Sequence, residues 1–403
     1  MIVGGNGFSP DLQGHNKGDY PFCKCSDISS SDKLSTAANY VSFKDIIEQG
    51  YNLVPAYSIL VAKIGESMKK NRRSLNLVPC CIDNNMQAFV PKGSLDPLFG
   101  YYLLSLIDFA DYDNGGPVPS INNQRLMTKV VSIPSIREQK EITSLLGEKC
   151  IRIDGVVSTL ETQISTLERY RTSVIHEAVT RGLDPSAPTK PSGVDWIGEI
   201  PKKWGVKRIK YLFHTASGST PDSSDWTLYD GDINWVQSGD LYGVSSIEKT
   251  ARTVTAKALM ESSALKVFES PFVIMAMYGA SVGNVAVCNI DACTNQACCV
   301  MLPHEGMDSR FLYYVLVDSQ TPLKQKALGG TQPNISQVII KNHKVPLPSS
   351  AEQKAIADYL DARTAAIDAV LDTKRKQLDV LKRRRKSLIY EYVTGKRRVN
   401  QEA

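Results

Sequence analysis

Apolar residues recur at alternating steps of four and three through two widely separated stretches of this 403-residue chain. In the first they fall at Ile153, Val157, Leu160, Ile164 and Leu167, followed in phase by Arg171 and Val174. In the second the same rhythm gives Ile367, Leu371, Lys374, Leu378, Leu381, Arg385 and Leu388. Such spacing is the seam of a coiled coil. At about 1.5 Å per residue, Ile153 to Thr180 makes a helix about 40 Å long. The alternative is that each helix packs only on its own globular domain. An arginine at the same step of both seams, Arg171 and Arg385, favours two helices that pair with each other.

The two stretches are copies. Val131 to Thr180, shifted by 214 positions, lies without a gap on Val345 to Thr394. Pro134-Ser135 meets Pro348-Ser349, Glu138-Gln139-Lys140 meets Glu352-Gln353-Lys354, and Ile153-Asp154 meets Ile367-Asp368. Ser135-x-x-Glu138 and Ser349-x-x-Glu352 have the capping-box form and stand just after a proline, so each predicts a helix start. The duplication continues more faintly outside the helices. Gly65 corresponds to Gly279, Tyr101-Tyr102 to Tyr313-Tyr314, and Gly115-Gly116-x-x-Pro119-x-Ile121 to Gly329-Gly330-x-x-Pro333-x-Ile335. Framework positions match while the residues between them differ, as expected of one scaffold carrying two different binding surfaces.

Short apolar stretches broken by Gly, Asn and Pro predict strands within Tyr51 to Ile64, Asn76 to Ile82 and Met86 to Val90, while Leu98 to Phe109 is helix-like. A stretch rich in Pro, Gly and Ser, Gly182 to Gly193, reads as a linker. The expected division is 1–132 for a first globular unit, 133–181 for the first long helix, 182–195 for the linker, 196–346 for a second unit, 347–396 for the second long helix and 397–403 for a basic tail. The second unit has a lead-in, Trp196 to Phe213, before its Gly218-containing loop. The first unit begins close to the equivalent of that loop and is expected to be N-terminally short.

Composition adds little by itself. The net charge of +5 is mild, so a nucleic-acid surface has to come from local clustering. No run is apolar enough for a membrane helix, which suggests a cytoplasmic protein. The nine cysteines lack the C-x-x-C pairs of a zinc module and read as buried reduced thiols. No phosphate loop, no dinucleotide fingerprint and no Asn/Asp-Pro-Pro-Tyr/Phe motif of adenine methyltransferases is found, so no catalytic residue and no metal site is expected. Glu138-x-Lys140 and Glu352-x-Lys354 mimic the end of a nuclease signature, but their glutamates sit where a cap is needed.

The order of the motifs, together with the duplication, resembles the specificity subunit (S, or HsdS) of type I restriction-modification systems. Carrying the resemblance are Ser192-Gly193-Val194-Asp195-Trp196-Ile197-Gly198-Glu199-Ile200-Pro201, then Gly231-Asp232-Ile233-Asn234-Trp235 with Gly239-Asp240-Leu241, then Gly330-x-Gln332-Pro333-Asn334-Ile335, and the two Pro-x-x-x-Glu-Gln-Lys helix starts. The resemblance implies a mixed α/β (α+β) fold: two target-recognition domains joined by two long antiparallel coiled-coil helices, with an internal pseudo-twofold repeat. It also implies a non-catalytic subunit that reads a bipartite, gapped DNA site. Its partners would be double-stranded DNA, two adenine-N6 methyltransferase subunits and the restriction subunits. S-adenosylmethionine, ATP and magnesium are then expected on those partners, and no cofactor on this chain. Two other readings stay open: a coiled-coil scaffold whose units bind protein, and the recognition subunit of a combined restriction-methylation enzyme.

Candidate DNA contacts are Lys69, Lys70, Arg72 and Arg73, read as a basic turn between two strands, and Ser238, Tyr278, Ser281, Gln332 and Asn334, polar or aromatic groups beside framework glycines. Candidate spacer and partner residues are Ile153, Leu160, Ile164, Leu167 and Arg171 of the first helix, and Ile367, Leu371, Leu378, Leu381 and Arg385 of the second.

Overall fold

The computed structural model describes residues 1–29, 32–326 and 334–399. It divides into two compact units, Met1–Glu161 with Lys376–Ala403, and Thr162–Arg375.

In the first unit the strands are β1 (Ile2–Gly4), β2 (Tyr20–Cys23), β3 (Lys33–Leu34), β4 (Asn39–Val41), β5 (Ile59–Ala62), β6 (Arg73–Asn76), β7 (Cys81–Ile82) and β8 (Met86–Phe89). They form a five-stranded sheet in the order β1-β8-β5-β6-β3 and a three-stranded sheet in the order β4-β2-β7. The helices are α1 (Phe43–Gln49), α2 (Gly65–Lys69), α3 (Pro97–Ser105), α4 (Asn123–Met127) and the start of α5 (Ile136–Arg181). The strand expected over Tyr51 to Ile64 is confined to β5. Pro55 and the left-handed Tyr57 (φ 62°) keep the approach irregular. Over Asn76 to Ile82 the backbone is likewise interrupted, with Pro79 between β6 and β7.

The second unit repeats the plan with a longer entry. The hairpin β9 (Thr189–Pro191) and β10 (Glu199–Pro201) is followed by β11 (Gly205–Arg208) and by β12 (Phe213–Ala216). Then come β13 (Tyr229–Val236), β14 (Ser246–Ile247), β15 (Arg252–Val254), β16 (Phe272–Ala276), β17 (Val285–Cys288), β18 (Cys293–Thr294), β19 (Cys298–Pro303) and β20 (Lys344–Leu347). The main sheet runs β12-β19-β16-β17-β14, beside the sheet β15-β13-β18. Helices α6 (Ala256–Glu261), α7 (Ser309–Asp318), α8 (Gln320–Gln325) and α9 (Gln337–Asn342) precede α10 (Ser350–Val393).

Each unit builds one main core where its large sheet meets a short helix and parts of both long helices. In the first unit Ile59, Val61 and Leu75 pack with Phe99 and Tyr102 of α3, Ile142 and Leu146 of α5, and Ile389 and Tyr392 of α10. In the second, Val273 and Met301 pack with Leu312 and Leu316 of α7, Ile175 and Val179 of α5, and Ile356 and Leu360 of α10. Helix α3 starts where Asp96 accepts from the Leu98 and Phe99 amides, and α7 where Asp308 accepts from Arg310 and Phe311. Eight cysteines are buried, Cys25 is half-buried, and all nine are free thiols.

His343, just before β20, is buried and stacked on Trp196 with ring centroids 5.3 Å apart. Neither ring nitrogen has a hydrogen-bond partner among the described residues. Burial pushes its pKa down to about 4, with the Lys326 charge adding to the effect. The unfolded chain takes up that proton near pH 6.5, whereas the folded chain resists it down to about 4. Stability is therefore complete above pH 6.5 and is lost as pH falls toward 4. Thermal melts at pH 7 and pH 5 are expected to show the second unit weaker at pH 5 by on the order of 2 kcal/mol. His343→Phe, which can stack in the same place, is expected to flatten that dependence.

Candidate nucleic-acid interface

The long helices are fixed to their units by the Glu-Gln-Lys starts. Gln139 is buried. Its Oε1 accepts from the Asp96 amide at 2.7 Å, while its Nε2 donates to the carbonyls of Ser94 at 2.8 Å and Pro134 at 2.9 Å. Gln353 repeats this, accepting from the Asp308 amide at 3.0 Å and donating to the Pro348 carbonyl at 3.1 Å. One amide side chain thus ties the first turn of each long helix to the N-cap of the short helix beside it. The glutamates are caps: Ser349 Oγ accepts from the Glu352 amide at 3.3 Å and Glu352 Oε2 accepts from the Ser349 amide at 3.1 Å. Ser135 Oγ accepts from the Glu138 amide at 3.3 Å. Partial burial works against the Glu352 charge, yet hydrogen bonds from Ser349 and from Trp204 Nε1 hold its pKa below the usual value.

Along the helices the seam positions are the covered ones. Ile153, Ile164, Leu167, Arg171, Leu378, Leu381 and Arg385 are half-buried and Leu160, Ile367 and Leu371 buried, while most residues between them are exposed. Within the first unit, Arg385 Nε lies 2.8 Å from Asp154 and its Nη2 2.8 Å from Asp32, and Lys382 lies 2.8 Å from Glu161. Within the second, Arg171 bonds both oxygens of Asp368, at 2.9 and 3.1 Å, and Arg375 lies 2.7 Å from Glu168. In each unit residue numbers rise along one helix as they fall along the other, so the helices are antiparallel there. Arg171–Asp368 and Arg385–Asp154 are the same pair with the helices exchanged. Arg171→Ala is expected to destabilise the second unit by about 1 kcal/mol, since both partners are partly solvated. A double-mutant cycle with Asp368→Ala, read by denaturant unfolding, is expected to recover most of that as coupling.

This pairing also accounts for much of the basic run Lys382 to Lys386. Lys382 and Arg385 are turned to carboxylates across the seam, and Arg383 pairs with Asp379 on its own helix. Tyr392 is buried in the core, whereas Tyr390 is exposed.

Several of the candidate contact residues, Lys69, Lys70, Arg72 and Tyr278, fall on or beside one repeated loop. In each unit it leaves the central strand, β5 or β16, through a left-handed glycine, Gly65 (φ 74°) or Gly279 (φ 84°). Ile121 donates to the Lys63 carbonyl at 2.9 Å, and Ile335 to the Met277 carbonyl at 2.8 Å, so a second segment is held against the same loop in both units. In the first unit α2 and the turn after it carry Lys69 and Lys70, both exposed, and Arg72, half-buried. In the second unit the loop brings half-buried Tyr278 beside exposed Asn334. Ser238 opens a 3-10 turn, Ser238–Leu241, and is half-buried. Gln332 lies outside the described residues.

Two expectations need correction. Arg73 is a strand residue that is 8 % exposed. Its guanidinium donates to the carbonyls of Leu104 and Ile107 at the end of α3 and lies 4.8 Å from the Phe109 ring. Burial lowers its pKa to about 10. It caps a helix within the fold and presents no donor to a ligand. Ser281 is also buried, and its carbonyl accepts from the Asn284 amide at 2.9 Å, so it shapes the loop. Sequence reasoning missed the work of Gln139 and Gln353; the signal was a buried-type position next to each capping glutamate.

A family model, Type I restriction modification DNA specificity domain, matches residues 2–152 and 201–380. The MjaIX specificity subunit of a type I restriction enzyme from Methanocaldococcus jannaschii is 33% identical over 191 residues, 46% of this chain and 43% of that relative's own length. The putative MjaX specificity subunit from the same organism is 24% identical over 405 residues, 96% of this chain and 89% of the relative. Among solved structures, a chain from work on the assembly and conformational transition of a type I restriction-modification system superposes with a TM-score of 0.66. That match is at 17% identity and covers 93% of this chain and 91% of the other.

Proposed function

The chain belongs to the type I restriction-modification DNA specificity family, and from that premise we propose that it is the subunit that chooses the DNA sequence, each unit reading one half of a bipartite, gapped site. The observation that carries this is the family match to both units, with Lys69, Lys70 and Arg72 in one unit and Tyr278 in the other at the same repeated loop. Exposed Lys69 and Lys70, with Arg72, supply phosphate contacts in the first unit. In the second, Asn334 suits adenine, Tyr278 offers an aromatic face, and Ser238 suits a phosphate. The chain supplies no chemistry: it recruits methyltransferase subunits, two in number, and restriction subunits, which carry S-adenosylmethionine, ATP and magnesium. The long helices set the gap and dock the methyltransferases. No described helix is long and apolar enough to cross a membrane, and we place the protein in the cytoplasm with its DNA.

Binding of the full chain to a DNA library at several salt concentrations tests this reading. Affinity is expected to fall linearly on a log–log plot against salt, because each neutralised phosphate releases a counterion. Changing Lys69, Lys70 and Arg72 together to alanine is expected to weaken binding by about tenfold and flatten that slope without shifting the preferred sequence. Affinity indifferent to salt would instead favour a protein-binding scaffold.

A further inference from the structure

The two seam arginines differ in what they hold. In the first unit Arg385 serves two carboxylates: Asp154 across the seam, 2.8 Å from Nε, and Asp32 at the edge of the main sheet, 2.8 Å from Nη2. Asp32 immediately precedes β3, the edge strand that runs parallel to β6, and its carbonyl accepts from the Leu75 amide at 2.9 Å. The buried Tyr101 hydroxyl donates to the same carboxylate. One side chain thus ties the edge strand to both the long helix α10 and the short helix α3.

In the second unit the same backbone bond recurs. Ser245 immediately precedes β14, the edge strand parallel to β17, and its carbonyl accepts from the Val287 amide at 2.9 Å. Ser245 is therefore the counterpart of Asp32, as Arg171 is of Arg385 and Tyr313 of Tyr101. Serine supplies no carboxylate there. Arg171 gives Nε and Nη2 to Asp368, and the five N–H donors of a guanidinium leave room for a second acceptor. Burial raises the Tyr313 pKa and the Asp368 charge adds to it, while the Arg171 charge and hydrogen bonds with Ser245 and Arg171 oppose the rise, so these three polar groups converge. Beside them lies a cavity of about 310 Å³, lined by Arg171, Ser245 and Tyr313 and by the apolar Leu241, Val285 and Val317. That volume stands at the small end of ligand pockets, about 300 to 1,000 Å³, and exceeds what one carboxylate side chain fills.

We infer that this cavity binds a free short-chain aliphatic carboxylate of about the size of butyrate, whose charged group takes the place that Asp32 fills in the first unit. The acid accepts from Arg171, Tyr313 and Ser245, a charge-assisted arrangement, and its alkyl chain lies against Leu241, Val285 and Val317. Bound there, it ties β14 to α5 and α7 as Asp32 ties β3 to α10 and α3. The inference rests on the repeat and the cavity and does not depend on what the units read.

Sodium butyrate titrated into the full chain, with sodium chloride at matched ionic strength as the control, tests it. Hydrogen exchange is followed at the Val287 and Asn289 amides, which bond the Ser245 and Ile247 carbonyls and so report on β14. Saturable slowing with a Kd on the order of 1 mM is expected, reaching about tenfold at ten times that concentration, while the corresponding Leu75 amide of the first unit does not respond. Ser245→Asp supplies the carboxylate from the chain itself and Arg171→Gln removes its partner, and each is expected to abolish the response. Asp32→Ser is expected to speed exchange at Leu75 several-fold. Slowing matched by chloride, slowing retained in either second-unit variant, or Leu75 exchange unchanged by Asp32→Ser would overturn the proposal. So would N-acetyl-aspartate N-methylamide binding about tenfold more tightly than butyrate, since the carboxylate would then be a partner's side chain.

Discussion

A chain with seven residues added after Ile164 in α5 and seven after Leu378 in α10 is expected to recognise the same two half-sites with a longer gap between them. Seven residues keep the seam in phase, because the apolar rhythm repeats every seven. They lengthen each helix by about 10 Å, close to three base pairs of B-DNA. Both insertion points lie between the ion pairs Glu161–Lys382 and Glu168–Arg375, which therefore remain intact in their units. Two residues in place of seven would turn the following seam by about 200° and present its polar face, and such a chain is expected to lose recognition. Sequencing of the methylated motif distinguishes these outcomes. A changed half-site at seven residues would mean that the helices do not set the gap.

Replacement of Gln353 by leucine is expected to cost about 3 kcal/mol, the largest stability effect of any single change proposed for this chain. Leucine fills similar space but leaves the Asp308 amide and the Pro348 carbonyl without the partners they have at 3.0 and 3.1 Å. Gln353 is 1% exposed, so water has little access to replace those bonds. Gln353→Glu can still accept from Asp308 but cannot donate to Pro348, and is expected to be no better. The matching change Gln139→Leu is expected to weaken the first unit similarly. Hydrogen exchange followed separately on α3 and α7 reads each effect in its own unit. Loss of protection confined to the altered unit is expected, and unchanged protection would contradict the anchoring role.

The helices were legible because their signal is strong and local. A seam of four-and-three spacing, two capping boxes and a gap-free repeat leave little freedom, and the covered positions of α5 and α10 are the predicted ones. The pairing of the two helices followed from the duplication and their antiparallel order from the family resemblance, and the arginine at the same step of each seam is explained by Asp368 and Asp154. The strands were less legible. Tyr51 to Ser58 has the composition of a strand but carries Pro55 and a left-handed Tyr57.

Among the candidate residues the sequence did not show which way the side chains point. Lys69 and Arg73 look alike in a basic run. One is exposed at the end of α2, while the other enters β6 and turns to the carbonyls of α3. Beside it, Asn71, left-handed at φ 56°, donates from its side-chain Nδ2 to the Ile107 carbonyl at 2.9 Å across 36 residues. No local pattern carries a contact of that range. The roles of Gln139 and Gln353 were hidden for the same reason, since their partners Asp96 and Asp308 lie more than forty residues away in sequence.

The central claim, that the two units read two different half-sites, is tested most directly by mapping N6-methyladenine across the genome of a methylation-free host. That host would express this chain with an adenine methyltransferase subunit of the family. The account predicts one gapped motif with two unlike halves, of which the second changes alone when the two segments carrying Tyr278 and Asn334 are exchanged. A motif insensitive to that exchange, or a palindrome built from a single half, would contradict it.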